Sequence, residues 1–199
     1  MTTTLFTNAH IATGEPGSTA ASTLPLQDIL VTDGVFTAFG PGLAQQYEAQ
    51  GGDPAAIEVV DLGGKLVCPP FCDTHLHLDY VFTARKPGAV NESGTLFEGI
   101  QRWSETKSDL TVDEIKQRAK IGIKKEMLHG VQLIRSHADV TDPNLTSLKA
   151  LLELKEELKD TVTLQIVSFP QEGMYSYEGP HGESGAELVE EGLKMGADC

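Results

Sequence analysis

Two histidines one residue apart, His75-Leu76-His77, carry the strongest chemical signal in this sequence. Neutral imidazole is the commonest metal ligand and suits both zinc and iron. At the frayed C-terminal end of a strand, twist and turn can bring both imidazoles to one ion. The spacing alone leaves open a pair of surface histidines at a loop mouth. Three further groups have matching positions. His137 and Asp139 close a later apolar run, and Gln171 closes the next one. A glutamine amide offers a hydrogen-bond donor beside an acceptor. Cys68 and Cys72 are spaced C-x3-C inside an apolar run and read as core rather than as metal ligands. Three cysteines in all, an odd number, argue against a disulfide framework. His10, His129 and His181 stand apart from these groups and are expected to have no catalytic part.

The elements that must position these residues fall into two patterns. Residues 1–66 alternate short apolar runs with turn signals and read as a small all-β module. Asp33-Gly34 between two apolar runs predicts a hairpin. Ile57 to Leu62 alternates as a half-buried strand, and residues 41–56 read as a loop with a short helical turn. From residue 67 the pattern becomes β-α-β-α-β-α. Leu66 to Cys72 is a continuous apolar run, predicting a strand buried on both faces. The loop from 73 to 94 is long enough to be functional. Thr95 to Lys107 predicts a helix with Leu96, Phe97, Ile100 and Trp103 on one face, Trp103 as core. Thr111 to Glu114 is a capping box, opening a helix that runs to Leu128 and closes at His129-Gly130. A strand from Val131, a helix over 144–159, a strand over 162–169 and a helix over 185–195 follow, with Gly196 as a stop. Ala197 to Cys199 would begin a fourth strand. Such alternation implies a parallel sheet with helical crossovers, with functional residues at the strands' C-terminal ends.

The fold class predicted is therefore α/β: the first half of a (β/α)8 TIM-type barrel (67–199), preceded by strands of a small β-sandwich (1–66). Only about 130 residues follow position 66, whereas a whole barrel takes about 250. The expectation is a chain that is truncated, cleaved, or half of a split protein.

Composition narrows the partners. The formal net charge is -14 and the pI about 4.7, so there is no basic stripe to neutralise phosphates, and a nucleic-acid partner is excluded. No apolar run approaches a membrane span. Met1 to Leu5 has neither a basic nor a long apolar stretch, so the expected location is cytoplasmic.

The segment Val67-Cys-Pro-Pro-Phe-Cys-Asp-Thr-His-Leu-His-Leu-Asp79 resembles the first barrel strand of the amidohydrolase superfamily. Ser93-Gly-Thr-Leu-Phe-Glu-Gly-Ile-Gln-Arg-Trp103, Arg135-Ser-His-Ala-Asp139 and Leu164-Gln-Ile-Val-Ser-Phe-Pro-Gln-Glu-Gly173 resemble bacterial cytosine deaminases more specifically. The likeness runs in register from about 64 to 198. It implies that His75 and His77 are the first-strand ligands of one divalent metal, iron or zinc. It implies that Gln171 hydrogen-bonds the pyrimidine ring and that Leu96 lines the base pocket. His137 stands near the site, without an implied ligand role, and Asp139 holds its loop. The implied reaction is hydrolytic deamination of cytosine to uracil and ammonia. Isoguanine, creatinine or a cyclic amide are the alternative substrates. A non-catalytic fragment pairing with another chain is the alternative role. The resemblance places the remaining ligands and the general acid–base group beyond residue 199, so no catalytic residue is expected in this chain. The isolated chain is expected to be inactive. The expected partners are a small heterocycle, with homo-oligomers of the complete enzyme or a second chain carrying the rest of the barrel.

Overall fold

The computed structural model describes residues 2–12, 24–142 and 144–199. The chain divides into two compact units, Met1–Pro69 and Pro70–Cys199.

The first unit is one sheet. Its strands are β1 (Thr3–Ile11), β2 (Leu26–Thr32), β3 (Val35–Gly40), β4 (Ile57–Asp61) and β5 (Leu66–Val67). They lie in the order β3-β2-β1-β4, with β5 also on β1. β2 and β3 pair antiparallel about Asp33-Gly34, the hairpin expected from that dipeptide. Helix α1 (Leu43–Ala49) fills what the sequence suggested was mostly loop. Leu5, Ala9, Ile29 and Leu43 are the buried apolar residues among those described in this unit.

The second unit carries three parallel strands in the order β6-β7-β8: β6 (Phe71–Leu76), β7 (Val131–Asp139) and β8 (Thr163–Phe169). Helices α2 (Leu96–Lys107) and α3 (Val112–Leu128) follow β6, α4 (Thr146–Glu157) follows β7 and α5 (Gly185–Met195) follows β8. The capping box at Thr111 forms with Glu114 as the sequence indicates, and a second one joins Ser184 and Glu187. The core lies between the strands and the helices. Ile134 and Ala138 of β7 and Leu164 and Ile166 of β8 meet Leu148, Leu151 and Leu154 of α4 and Ile115, Ala119 and Ile123 of α3. β8 buries alternate residues towards the helices, as a period of two requires. Past α5, the Asp198 N–H donates to the Ile166 carbonyl at 2.8 Å and the Ser168 N–H to the Cys199 carbonyl at 2.7 Å. The last residues thus lie along β8 in the manner of the expected fourth strand. This is the α/β arrangement of the first half of a (β/α)8 barrel, preceded by β-sandwich strands.

Several expectations are corrected. The apolar run Leu66 to Cys72 is two strands. Leu66–Val67 pairs with β1 in the first unit, and Phe71 onward joins the second. Pro69 and Pro70 explain the break, since two successive residues without an N–H cannot donate to a ladder. Nor is the run buried: Phe71 is 63% exposed, and Cys68, Cys72 and Cys199 are all exposed free thiols rather than core. β6 is an edge strand here, and the helices pack chiefly on β7 and β8. On the predicted apolar face of α2, Trp103 is buried, but Leu96 and Phe97 are 74% and 82% exposed. No helix among the described residues is long and apolar enough to cross a membrane.

Candidate active site

β6 delivers His75 within its last turn of extended chain, and His77 follows just past its end. The Asp73 carboxylate accepts from the His75 N–H at 2.9 Å, which shapes the chain as it leaves the sheet. Residues two apart share a face, and the two imidazoles converge, with Nε2 atoms 3.3 Å apart. His77 Nδ1 lies 3.1 Å from the His137 carbonyl. A carbonyl can only accept, so Nδ1 carries the proton and the Nε2 lone pair is free. That backbone anchor is what orients a metal-ligating histidine. A lone pair held this close to a second Nε2 is stable only with a proton or a cation between them. Ligand nitrogens about 2.05 Å from a tetrahedral ion stand about 3.3 Å apart, so the pair fits two positions on one metal. Among the described residues, no group of three or more His, Cys, Asp and Glu side chains is arranged to hold an ion.

His137 packs against the pair. Its ring stacks on His75, centroids 4.1 Å apart and planes 22° apart, and its Nδ1 is buried without a partner. Phe169, the last residue of β8, meets His77 and His137 edge-on. Burial, and then the neighbouring histidine charges, hold His77 down at about 4, despite the His137 carbonyl. Burial and His75 lower His137 as well. Both rings are therefore neutral at physiological pH, the form that binds metal.

Beside the histidines lies a cleft of about 510 Å³, walled by Tyr80, Asn91, Thr95, Leu96, Ile100, Arg102, Trp103 and Gln171. Tyr80 links the two features: its ring stacks on His77 at 4.6 Å and lies 4.9 Å from the ring of Trp103. Leu96 belongs to the rim, which accounts for its exposure. Gln171 lies two residues beyond β8, and its side-chain Oε1 is buried without a protein partner. A buried acceptor left unpaired is costly, and this one belongs to a residue on the cleft wall. The loop before α2 is built for this wall. Gly94 adopts a left-handed conformation (φ 69°) that a side chain would strain, and Thr95 then caps the helix by accepting from the Glu98 N–H. Glu98 in turn accepts from the N–H groups of Glu92 and Ser93 and from the Ser93 hydroxyl. These bonds hold its carboxyl down at about 2.

Under the site lies a buried polar cluster of which the sequence flagged only Asp139, as a loop holder, and Trp103. Asp139 accepts from Trp103 Nε1 at 2.7 Å and Lys107 Nζ at 3.1 Å. Its backbone N–H donates to Asp79 at 2.9 Å. Burial pushes the Asp79 carboxyl up to about 7, and the Asp139 charge adds to this against the opposing backbone N–H bonds. Lys107 also reaches Glu172, the residue after Gln171. The amphipathic pattern of α2 places Lys107 one turn beyond Trp103, a spacing that could have flagged it. Nothing local marks Asp79 or Glu172.

Residues 58–194 match the profile described as "Amidohydrolase family". Over 70% of its length the chain is 34% identical to N-isopropylammelide isopropyl amidohydrolase of Pseudomonas sp. (strain ADP). Over 74% it is 28% identical to pterin deaminase of Rhizobium rhizogenes. It spans about a third of the length of each. Among solved structures, the 5-methylcytosine deaminase of Klebsiella pneumoniae liganded with 5-fluorocytosine matches 98% of this chain at 36% identity and a TM-score of 0.76. The match covers 42% of that enzyme. N-isopropylammelide isopropylaminohydrolase of Burkholderia multivorans matches the whole chain at 25% identity and a TM-score of 0.73, over 44% of its own length. With the histidine pair at the end of the first parallel strand and the profile covering more than half its residues, this chain belongs to the amidohydrolase family.

Proposed function

We propose that this chain supplies two metal ligands and much of the substrate pocket of a metal-dependent hydrolytic deaminase. The reaction is deamination of an amino-substituted heterocycle, cytosine to uracil and ammonia being the preferred case. The observation that carries this reading is the convergence of His75 Nε2 and His77 Nε2 to 3.3 Å beside a cleft walled by an unpaired amide oxygen. One divalent ion, iron or zinc, would supply an activated water at neutral pH. His75 and His77 would hold it, with the His77 tautomer fixed by the His137 carbonyl. Tyr80 and Trp103 give the cleft aromatic walls suited to a planar ring, and Leu96 closes its rim. The Gln171 amide reads the ring through its donor and acceptor. The likeness to the Klebsiella pneumoniae enzyme, solved with 5-fluorocytosine, favours a pyrimidine. The ammelide hydrolase and pterin deaminase relatives keep triazine and pteridine rings in the test. Two ligands hold an ion more weakly than the three or four of complete sites. The rest of the site would come from further barrel strands, on a longer or a second chain. The exposed face of β6 and the apolar residues Val35, Phe36 and Phe39 of β3 are the surfaces such strands would cover.

Ammonia release is the test. The chain, supplied with iron or zinc, is assayed on cytosine, isoguanine, creatinine and pterin, alone and mixed with a polypeptide carrying the later strands of a relative's barrel. The expected result is no turnover alone and release from cytosine in the mixture. Release from another ring with silence on cytosine would reassign the substrate. Full turnover by the isolated chain would overturn the claim that it holds only part of the site.

A further inference from the structure

The buried cluster beneath the cleft has more polar partners than a core needs. Lys107 has three N–H donors, and all are used: Asp139 Oδ2 at 3.1 Å, Thr141 Oγ1 at 3.0 Å and the Glu172 carboxylate. Asp139 is also saturated. Its second oxygen accepts from the Thr141 N–H at 2.8 Å and the Thr141 hydroxyl at 2.6 Å. Ser104 adds a further bond to Glu172. Lys107 is 9% exposed and Asp139 fully buried. Apolar residues would fill such a space at least as stably, so a buried ion network is better explained by the geometry it specifies.

That geometry points to the cleft. The cluster ties one face of α2, bearing Trp103 and Lys107 at i and i+4, to the ends of β7 and β8. Trp103 is on the cleft wall and donates to Asp139. Gln171 is held on both sides. Its own N–H donates to the Phe169 carbonyl at 3.1 Å, and the next residue, Glu172, is bound to Lys107 and Ser104. Its free Oε1 therefore stands where the cluster puts it.

We propose that Lys107, acting through Asp139 and Glu172, is a positioning residue that sets the Gln171 amide and the Trp103 indole for a planar, amide-bearing ring. This rests on the reading of the cleft as a heterocycle pocket. The roles of Lys107 and Glu172 are distinct from metal binding, so their test needs no metal.

Trp103 is the sole tryptophan, so its emission reports on the cleft wall alone. In the 199-residue chain, Lys107→Met and Glu172→Gln are compared with the unmodified protein by thermal unfolding and by NMR of the Gln171 side-chain amide and Trp103 indole N–H. Titration with 5-fluorocytosine, followed by Trp103 emission, gives affinity. Glu172→Gln is expected to fold, to shift the Gln171 amide signals, and to weaken 5-fluorocytosine by up to about tenfold, the scale of one hydrogen bond. Lys107→Met is expected to move both the Gln171 and Trp103 signals. A lysine with a purely structural role would lower the unfolding midpoint while leaving the signals and the affinity of the folded protein unchanged, and that result would overturn the proposal. If Lys107→Met does not fold, Glu172→Gln decides alone: unshifted Gln171 signals refute it. If the unmodified chain does not bind 5-fluorocytosine, the heterocycle reading fails there, while the two NMR signals still decide whether Lys107 positions the wall.

Discussion

At the scale of a single side chain, the proposed substrate-binding role of Gln171 makes a prediction that a structural role would not. Its Oε1 is buried and unpaired, a cost with no return inside the protein. Gln171→Leu should therefore leave the thermal unfolding midpoint unchanged or raise it, by up to about 1 kcal/mol of stability, while abolishing 5-fluorocytosine binding. Calorimetry with and without ligand checks both halves. A loss of stability would mean the amide is satisfied and its role structural. At this scale the sequence was partly legible. His75, His77 and Gln171 stand out because their types and places at strand ends are local facts. Lys107, Asp79 and Glu172 did not stand out, because a buried ion cluster is defined by contacts between residues 32 to 68 positions apart. The cysteines misled: apolar neighbours suggested burial, whereas Pro69-Pro70 breaks the run and leaves both thiols exposed.

Two elements bear predictions of their own. In α5, Gly192 lies against β8 so closely that an added Cβ would stand 2.2 Å from Ser168 Oγ and 3.1 Å from Leu148. Gly192→Ala should destabilise the second unit by about 1–3 kcal/mol, measured by denaturant unfolding. An unchanged midpoint would show that the α5–β8 contact yields easily. The cleft loop before α2 depends on Glu98, held down at about 2 from an ordinary 4.5, first by the Ser93 hydroxyl and then by the Ser93 and Glu92 N–H groups. A depressed carboxyl stabilises the fold above its unfolded value and loses that contribution as pH falls. Amide protection at Glu92 and Ser93 should thus decline between about pH 4.5 and 2, ahead of global unfolding. Glu98→Gln should lose protection at neutral pH. Equal protection in both proteins would remove Glu98 as the anchor. The start of α3 was legible because a capping box is short-range, and the helix begins where Thr111 puts it; the Ser184 cap of α5 was not read from the sequence, although its spacing is the same. The exposure of Leu96 and Phe97 was not legible, since periodicity marks an apolar face but not what it packs against.

At the scale of the whole molecule, the order of elements was readable from the change of hydrophobic period near residue 66, and the three parallel strands bear it out. The chain nevertheless covers less than half of each enzyme it resembles. The proposal that further strands complete it has a surface consequence. Phe36 and Phe39 in the first unit and Phe71, Phe97 and Tyr175 in the second are exposed, so the isolated chain should bind an apolar dye such as anilinonaphthalene sulfonate. A polypeptide carrying the later strands should displace it. Dye binding unaffected by that polypeptide would argue against a composite fold.

The central claim is that His75 and His77 are two ligands of one metal. Calorimetric titration of the purified chain with zinc tests it most directly. The expected result is one ion per chain, bound weakly, with His75→Ala and His77→Ala each lowering affinity by about tenfold or more, and with His10→Ala and His129→Ala unchanged. Zinc binding that is indifferent to both His75→Ala and His77→Ala would contradict it.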